Sequence, residues 1–518
     1  MNAPQVPFPA GLLSRSETTL AVGGQGKFVV VGWNDAEGFL HAPFRGVPGA
    51  PGLSGFGFST DGGQTFTDGG TPFFPAVDPA NPSCGNLVTR GDPWLDIGGP
   101  GIDTVYYTNL SVHESVSCFS SFFGFPAGVT VHRGQFSDNS FSFNDVRLLQ
   151  SPNFPFDFYD KEALAADKNG SRPHVYVAVT NFIGIPISSA CTFAGGFGQI
   201  EVWSSLDGGN TYSGPTIVQP DLTNLADTTC STGRLEQGSQ PAVGPDGEVY
   251  VAWQDGPDFA GGSTVLPLDV RIKVTRSDDF GASFTTPVTL ASINSIRNRP
   301  PDGYNRTTIN DFPRVAVANS GPFRGRVYVA FQSATSPGVK RSNVFVSFSD
   351  DKGQTWSTPV LIGGSSPPDT LRFWPVVSVQ TSGNVDVVYY ESAETNLVPP
   401  SLSNPTGAEC QVAGRGGIRP RSSLVDVLWA QSINGGTSYE TPIKVTDVTS
   451  NWCKSRTNII PTFGDYIASA SHGNKVFATW ADGRLPITPD TLPPPAGPRN
   501  RTADVFYATI KTIGRAPR

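Results

Sequence analysis

The stretch Ser349-Asp350-Asp351-Lys352-Gly353-Gln354-Thr355-Trp356 decides the fold of this chain. Residues 344–348 before it alternate as in a β-strand, and residues 358–362 after it can form the next strand. The Asp-x-x-Gly core supplies the side-chain-capped turn with a residue at positive φ that a hairpin connection needs. The stretch therefore predicts a β-hairpin with Trp356 packed beneath its turn.

The same octapeptide recurs along the chain. Further copies begin at Ser59, Ser205 and Ser277, and a weaker copy begins at Ser432. The copies at 205, 277 and 349 follow one another at intervals of 72 residues, and the 146 residues from 59 to 205 equal about two such periods. One copy has therefore decayed, near residues 136–141. A long all-β repeat with a strand-turn signature is typical of a β-propeller or a solenoid.

Each repeat begins with an apolar strand, turns at a glycine and continues into a second strand that ends at a polar residue, as in residues 240–255. Second and third strands of this kind each number seven, whereas a fourth strand follows only the first six. The N-terminal segment 6–13 is expected to supply the missing strand and so close the ring. We predict an all-β fold over residues 1–518: a single β-propeller domain of four-stranded antiparallel blades, with seven blades favoured and six as the alternative. The predicted blades span roughly residues 14–75, 90–150, 160–220, 236–292, 310–364, 372–447 and 463–512.

Composition narrows the range of partners. The net charge is −8, only 15% of the residues are charged, and no basic stripe is present, which argues against nucleic acid. No run of 18 apolar residues occurs, so no membrane span is predicted. Met1 is the only methionine and precedes a polar segment, so we expect a mature form, restarted with an added methionine, from which an export signal has been removed. We also expect the protein to be a monomer.

The long connections fall between second and third strands and between blades, which places them on one face, where binding and catalysis are normally found. All six cysteines lie in these connections without a Cys-x-x-Cys pair, which favours disulfides over zinc. We predict the pairs Cys84–Cys118, Cys191–Cys230 and Cys410–Cys453. Disulfides imply a secreted or periplasmic protein.

The starts of the first strands point to the mouth of the channel on that face. Aligned on the glycine turn, this position holds Glu17, Asp92, Lys161, Gly238, Phe312, Trp374 and Asp465. Carboxylates gathered there have three readings: salt bridges around the axis, Ca²⁺ ligands near Asp92, Asp311 and Asp465, or catalytic acids and bases. No other cofactor is expected. The residues that we predict to contact substrate at this mouth are Asp92, Asp160, Lys161, Asp311, Trp374, Arg299 and Arg306.

The octapeptides match the Asp box of the sialidase superfamily. Segments 160–167, 464–468 and 480–484, followed by 504–507, resemble bacterial secreted proteins labelled sialidase-like or exo-α-sialidase. That resemblance implies three arginines that clamp a sugar carboxylate, a tyrosine nucleophile with a glutamate partner, and an aspartic acid. Arg15 stands where the family has its first arginine, although the following Ile-Pro is missing. The residues proposed for catalysis are Arg15, Asp35, Glu236, Tyr304, Arg372 and Asp465.

Three functions follow from these observations. The first is a secreted carbohydrate-active enzyme that hydrolyses glycosidic bonds at the loop-bearing face, with acidic sugars as one candidate class of substrate. The second is a non-catalytic propeller that binds a glycan or a protein. The third is a polysaccharide lyase on the same scaffold.

Overall fold

The computed structural model describes most of the chain. The described residues are 6–7, 14–35, 52–72, 78, 81–98, 103–113, 128–137, 139–152, 157–183, 197–219, 234–257, 269–297, 299–304, 306, 308–396, 421–455, 463–486 and 501–512. Within these ranges the chain contains strands and three short 3₁₀ helices, and none of the helices is long and apolar enough to cross a membrane.

The strands form seven four-stranded antiparallel blades, which confirms the predicted propeller and the higher of the two blade counts. Within each blade, successive strands of the chain are neighbours, from the first strand at the channel to the fourth at the rim. The strands are Arg15–Gly23, Phe28–Asp35, Ser54–Ser59 and Thr67–Gly70 in blade 1; Leu87–Gly98, Thr104–His113, Gly128–Ser137 and Ser140–Leu149 in blade 2; Asp157–Ala166, Val175–Ile183, Phe197–Ser205 and Ser213–Gln219 in blade 3; Arg234–Val243, Val249–Pro257, Asp269–Ser277 and Val288–Asn294 in blade 4; Arg314–Val317, Val327–Ala334, Ser342–Ser349 and Val360–Leu361 in blade 5; Thr370–Val379, Val385–Asn396, Arg421–Ser432 and Ile443–Lys444 in blade 6; and Ala468–His472, Lys475–Pro486 and Arg501–Lys511 in blade 7. The short strand Ser450–Asn451 also pairs in blade 6, and the 3₁₀ helices are Gly24–Gly26, Pro82–Cys84 and Trp452–Lys454.

The N-terminal strand closes the ring as predicted. Val6–Pro7 pairs antiparallel with the third strand of blade 7, with Val6 opposite Tyr507. Blade 7 thus takes its outermost strand from the start of the chain, and this pairing covers an edge that would otherwise be open.

The repeated octapeptides, which we call Asp boxes for their match to that motif, form the turns between third and fourth strands. In blade 5, Ser349 Oγ donates to Asp351 Oδ1 over 2.7 Å and accepts from the Gly353 amide over 2.8 Å. Thr355 closes the turn, because its amide donates to Asp351 Oδ1 over 2.8 Å. The box glycine meets a tyrosine of the preceding blade: Tyr328 Oη, for example, donates to the Gly435 carbonyl over 3.2 Å. The boxes therefore fix both a turn and a blade interface.

Polar residues near the ends of the second strands connect neighbouring blades. Asn34 Oδ1 accepts from the Asp92 amide over 2.9 Å, and Gln332 Oε1 accepts from the Trp374 amide over 2.6 Å. Gln254 makes the same contact to the Asp311 amide over 2.8 Å. These bonds satisfy backbone groups on the channel side of the first strands, where no further strand of the blade pairs with them.

Two of the six cysteines lie in described segments. Cys84 and Cys453 are both disulfide-bonded. The other four, Cys118, Cys191, Cys230 and Cys410, lie outside the described residues, so the three predicted pairings stay predictions.

Candidate functional site

Bulges at the starts of the first strands position side chains at the channel mouth. The strand register shifts at this point in five blades, and the residue at the shift adopts a left-handed backbone. These residues are Glu17 (φ 51°), Asp92 (φ 57°), Lys161 (φ 51°), Gly238 (φ 70°) and Trp374 (φ 49°). Four of the five are not glycine, and such strain gathers at functional sites. The alignment in the sequence found these five positions; in blade 7 the left-handed residue is Gly464, next to the predicted Asp465.

Lys161 is the centre of a group of charged residues from several blades, which we call the mouth cluster: Glu17, Asp92, Asp160, Lys161, Arg306 and Asp465, with Tyr304. Lys161 Nζ lies 2.6 Å from Asp92 Oδ2 and 2.9 Å from Asp465 Oδ2. Glu17 Oε1 lies 3.9 Å from the same nitrogen. One ammonium group thus joins carboxyl groups from blades 1, 2 and 7.

Asp465 is also held from the segment that enters blade 5. The Arg306 guanidinium forms an ion pair with Asp465 Oδ1. The Tyr304 hydroxyl donates to the same oxygen over 2.9 Å, and Asn310 Nδ2 donates to it over 3.2 Å. Asp465 therefore accepts from three side chains of one segment as well as facing Lys161.

Burial and charge separate the protonation states of these groups. Burial works against ionisation of Asp465, but Arg306 and Lys161 outweigh it and lower the pKa of this carboxyl. Burial would lower the pKa of Lys161, but the carboxylates of Asp465 and Asp92 raise it well above its ordinary value. At neutral pH both members of the Lys161–Asp465 pair are therefore charged.

Asp92 lies between two carboxyl groups that behave differently from it. Despite its burial, the charge of Lys161 and a hydrogen bond with Glu17 lower the pKa of Asp92. Burial and the Asp92 charge raise the pKa of Glu17 well above its usual range. Burial, together with the charge of Asp92 and a hydrogen bond to it, raises the pKa of Asp160 to about 7. Asp92 is thus ionised, the protonated form of Glu17 is favoured by its burial, and Asp160 is able to exchange a proton near neutral pH.

The cluster is only partly open to solvent. The side chains of Arg306, Asp92 and Lys161 are 33%, 13% and 12% exposed, whereas that of Asp465 is 1% exposed. A ligand at the mouth would therefore meet Arg306, Lys161, Asp92 and the partly exposed Asp160.

Tyr304 belongs to the cluster but not as a ready nucleophile. It is fully buried, and its hydroxyl donates to Asp465 and to the Gly464 carbonyl. Burial and the Asp465 charge raise its pKa well above 10. A tyrosine nucleophile needs the opposite shift, so this geometry favours a supporting role.

Arg15 and Asp35 lie in a different network. Arg15 Nε donates to Asp35 Oδ2 over 3.2 Å, its NH1 lies 3.7 Å from Asp504, and its guanidinium stacks 4.9 Å from the Trp33 ring. Trp33 Nε1 also donates to Asp35 over 3.0 Å. Blade 7 repeats the Trp-x-Asp contact, since Trp480 Nε1 donates to Asp482 Oδ2 over 3.2 Å. A contact repeated in two blades favours a structural role for Asp35.

The remaining predicted catalytic residues are dispersed. Glu236 accepts from Trp253 Nε1 and lies 3.9 Å from Lys273 Nζ. Arg372 Nε donates to Glu391 over 2.7 Å, and its NH1 donates to carbonyls of residues 362–364. Among the described residues, neither is joined to the mouth cluster.

The other predicted substrate-binding residues also lie apart from the cluster, with one exception. Asp311 is buried and accepts from Gln332 Nε2 over 3.2 Å. Arg299 Nε donates to the Gly338 carbonyl over 3.1 Å. Trp374 is the exception, because its ring packs edge-on to Tyr304 at a centroid distance of 5.8 Å.

The calcium reading finds little support in this geometry. Within the ranges that the structure describes, no group of three or more acidic, histidine or cysteine side chains is arranged to hold a metal ion. Asp92 and Asp465 both face the Lys161 ammonium instead, and Asp311 lies in another network.

A layer beneath the cluster was missed by the sequence analysis. The Arg314 guanidinium lies 4.3 Å from the Trp94 ring and 5.2 Å from the Tyr466 ring. The two rings are 5.5 Å apart, and Tyr466 Oη donates to the Pro93 carbonyl over 2.9 Å. We call these three residues the channel plug. Trp94 and Arg314 stand two residues after the aligned positions Asp92 and Phe312, whereas Tyr466 directly follows the aligned Asp465, so only the first two share an offset that the sequence could have shown.

Comparisons with known proteins give a likeness of fold. No family model matches the sequence, and no curated protein matches it. Among solved structures, a GH93 α-L-arabinofuranosidase of Fusarium graminearum with arabinobiose is 13% identical, with a TM-score of 0.41 over 75% of this chain and 92% of that one. A protein of unknown function from Dyadobacter fermentans is 13% identical, with a TM-score of 0.42 over 98% of this chain and 99% of its own. A Hadza microbial sialidase is 12% identical, with a TM-score of 0.40 over 90% and 74%. The likeness to these proteins is one of fold alone.

Proposed function

We propose that this protein is a carbohydrate-active enzyme that hydrolyses glycosidic bonds at the channel mouth with Asp160 and Asp92. One observation carries the proposal: two adjacent carboxyl groups at the mouth differ in protonation, with Asp92 ionised and the pKa of Asp160 raised to about 7. Carboxyl pairs whose environments separate their pKa values commonly divide the acid and base roles of a reaction.

The proposed reaction uses both groups in sequence. Protonated Asp160 gives its proton to the leaving oxygen as the bond to the anomeric carbon breaks. The Asp92 carboxylate stabilises the positive charge that develops on the sugar. Asp160, now ionised, takes a proton from the water that attacks the anomeric carbon.

The charge balance of the cluster supports a neutral sugar. Lys161 and Arg306 are matched by Asp92 and Asp465, so no excess positive charge remains to bind a sugar carboxylate. A sialidase-type clamp would need three converging arginines. Arg15, Arg299, Arg306 and Arg372 lie in four separate networks among the described residues.

An Asp160→Asn variant tests the assignment on a panel of neutral aryl glycosides and one aryl sialoside. We expect turnover of a neutral substrate, with kcat/KM falling above pH about 7 as Asp160 loses its proton, and a loss of about 10²–10⁴-fold in the variant. Asp246→Asn is the matched control, because Asp246 pairs with Arg324 on the surface and its side chain is 55% exposed. Full activity of Asp160→Asn would refute the roles assigned to Asp160 and Asp92.

A non-catalytic glycan-binding propeller is the second candidate. It is favoured by the internal pairing of the charges and by the channel plug beneath them. Binding on a glycan array without turnover of any bound glycan would support it. A lyase would instead release unsaturated products that absorb in the near ultraviolet.

The enzyme is proposed to act outside the cytoplasm as a single-domain monomer. The bonded state of Cys84 and Cys453 supports this location, because disulfides persist in oxidising compartments.

A further inference from the structure

The channel contains a second space, on the far side of the plug from the mouth cluster. A cavity of about 510 Å³ is lined by first-strand residues of all the blades and by Trp94 and Arg314 of the plug. It extends to the turns between first and second strands, where Gln25, Asn319 and Thr381 are exposed. The cavity is thus entered from the face that carries the Asp boxes, opposite the mouth.

Arg314, at the closed end of this cavity, is a buried charged residue without a charged partner among the described residues. The residue is only 6% exposed, and its guanidinium lies against the Trp94 and Tyr466 rings, which are 5.5 Å apart and on the same side of it. Among the described residues it has neither a hydrogen-bond partner nor a carboxylate partner. Burial lowers its pKa to about 9, with only Tyr466 acting in the other direction.

A buried arginine of this kind is costly for the folded protein. Guanidinium remains protonated at neutral pH, and a buried charge is normally paired or hydrogen-bonded. The two aromatic rings contact the guanidinium from one side by cation–π interaction and offer its N–H groups no hydrogen-bond acceptor. The N–H groups lie in its plane, and their favoured partner is the planar fork of a carboxylate.

Other charged groups at the cavity do not supply that partner. Asp96 pairs with Lys168 and accepts from the Ala166 amide. Asp103 accepts from the Gly24 amide over 2.6 Å. Both carboxylates are therefore engaged elsewhere.

The wall of the cavity is mainly aliphatic. Its partly exposed side chains include Val22, Ala242, Ala316, Val379 and Ala468. Such a wall favours the apolar body of a ligand over a hydrated inorganic ion.

We propose that this lower channel is a binding site for a small monocarboxylate with an apolar body, whose carboxylate pairs with Arg314 while its hydrocarbon part lies along the aliphatic wall. The site is separated from the mouth cluster by the plug, so it does not depend on the proposed hydrolase activity.

Isothermal titration of the full chain with hexanoate and with hexanamide tests the proposal without any variant. The two ligands share one body and differ in the charge that Arg314 would bind, so we expect hexanoate to bind at least tenfold more tightly. Equal affinity for the two, or a response to inorganic phosphate without one to hexanoate, would overturn the proposal.

Two variants locate the effect. Arg314→Gln should abolish the preference for hexanoate over hexanamide. Ala316→Phe should lower the affinity for both ligands, because the larger side chain occupies part of the cavity. Arg324→Gln is the matched control, because Arg324 lies on the surface with its side chain 51% exposed; it should bind as the unchanged protein does. A hexanoate preference that survives in folded Arg314→Gln, or that disappears equally in Arg324→Gln, would exclude the assigned site.

Discussion

Asp351 and Asp465 are both aspartates that accept several hydrogen bonds, but the chain builds their surroundings in different ways. All the side chains that hold Asp351 come from the same octapeptide, on a turn open to water. The partners of Asp465 come from residues 161, 304, 306 and 310, and the carboxylate is buried. A local network can be repeated in other blades, whereas a network assembled from distant segments occurs once.

The difference between the two regions also determines how much stability the protein loses when a partner of the aspartate is removed. An exposed turn can exchange lost partners for water, but a buried charge cannot. The mouth cluster should therefore respond far more strongly than the Asp boxes to the loss of one charge.

Lys161→Met gives the largest expected effect. It leaves Asp92 and Asp465 buried beside a neutral side chain, and breaking a buried pair in this way costs about 3–5 kcal/mol. Urea denaturation measures the change in the free energy of unfolding. The matched control is Lys352→Met, since Lys352 pairs with Glu248 over 2.6 Å but is 48% exposed; it should cost less than about 1 kcal/mol. Equal losses in the two variants would remove the contrast between the regions.

The propeller was predictable because its signals are local and repeated. The octapeptides and the glycine turns can each be recognised within a few residues of sequence, and their repetition gives the blade count. The missing fourth strand of the last repeat then predicts a closing strand near the N-terminus, as found at Val6–Pro7. The bulge positions of Glu17, Asp92 and Lys161 were found for the same reason, since each stands at a fixed distance before a turn.

The partners at the channel could not be predicted in this way. Tyr304 and Arg306 meet Asp465 across about 160 residues of chain, and no local pattern announces that contact. Asp35 and Arg372 looked equally suitable as site residues. Asp35 instead pairs with Arg15 on the adjacent strand, and Arg372 pairs with Glu391 and with the carbonyls of residues 362–364. Only the closed ring decides which charges meet.

Gly63→Ala tests whether the contact between an Asp box and the neighbouring blade contributes to stability. Gly63 has φ 81°, and a Cβ there would lie 2.1 Å from Tyr507 Oη. Left-handed strain and overpacking together should cost about 2–4 kcal/mol. Gly364→Ala is the matched control, because Gly364 has φ 69° and no atom within 4 Å of the added carbon; strain alone should cost about 1–2 kcal/mol. Thermal denaturation measures both variants, and equal melting temperatures would mean that the contact with Tyr507 does not contribute to stability.

Asp351→Asn should have the smallest effect, and blade 6 shows why. That box has Asn434 at the equivalent position, which still accepts from the Ser432 hydroxyl over 2.8 Å and from the Ser438 amide over 3.1 Å. The amide side chain therefore preserves the turn, and we expect a cost of about 1 kcal/mol or less at pH 7.

The pH dependence identifies what that small cost consists of. Hydrogen bonds from Thr355, its side chain and then its amide, lower the pKa of Asp351 to about 2. A depressed folded-state pKa stabilises the protein above the unfolded value of about 3.9, and this contribution is lost as the pH falls toward 2. Asp351→Asn removes the titration, so the difference in unfolding free energy between the variant and the unchanged protein should shrink between pH about 4 and 2. If the difference in unfolding free energy stayed constant over that interval, the charge of Asp351 would not contribute to the stability of the turn. Asp351 and Asp465 would then differ in two respects: in burial, and in whether the charge of the carboxylate matters for stability.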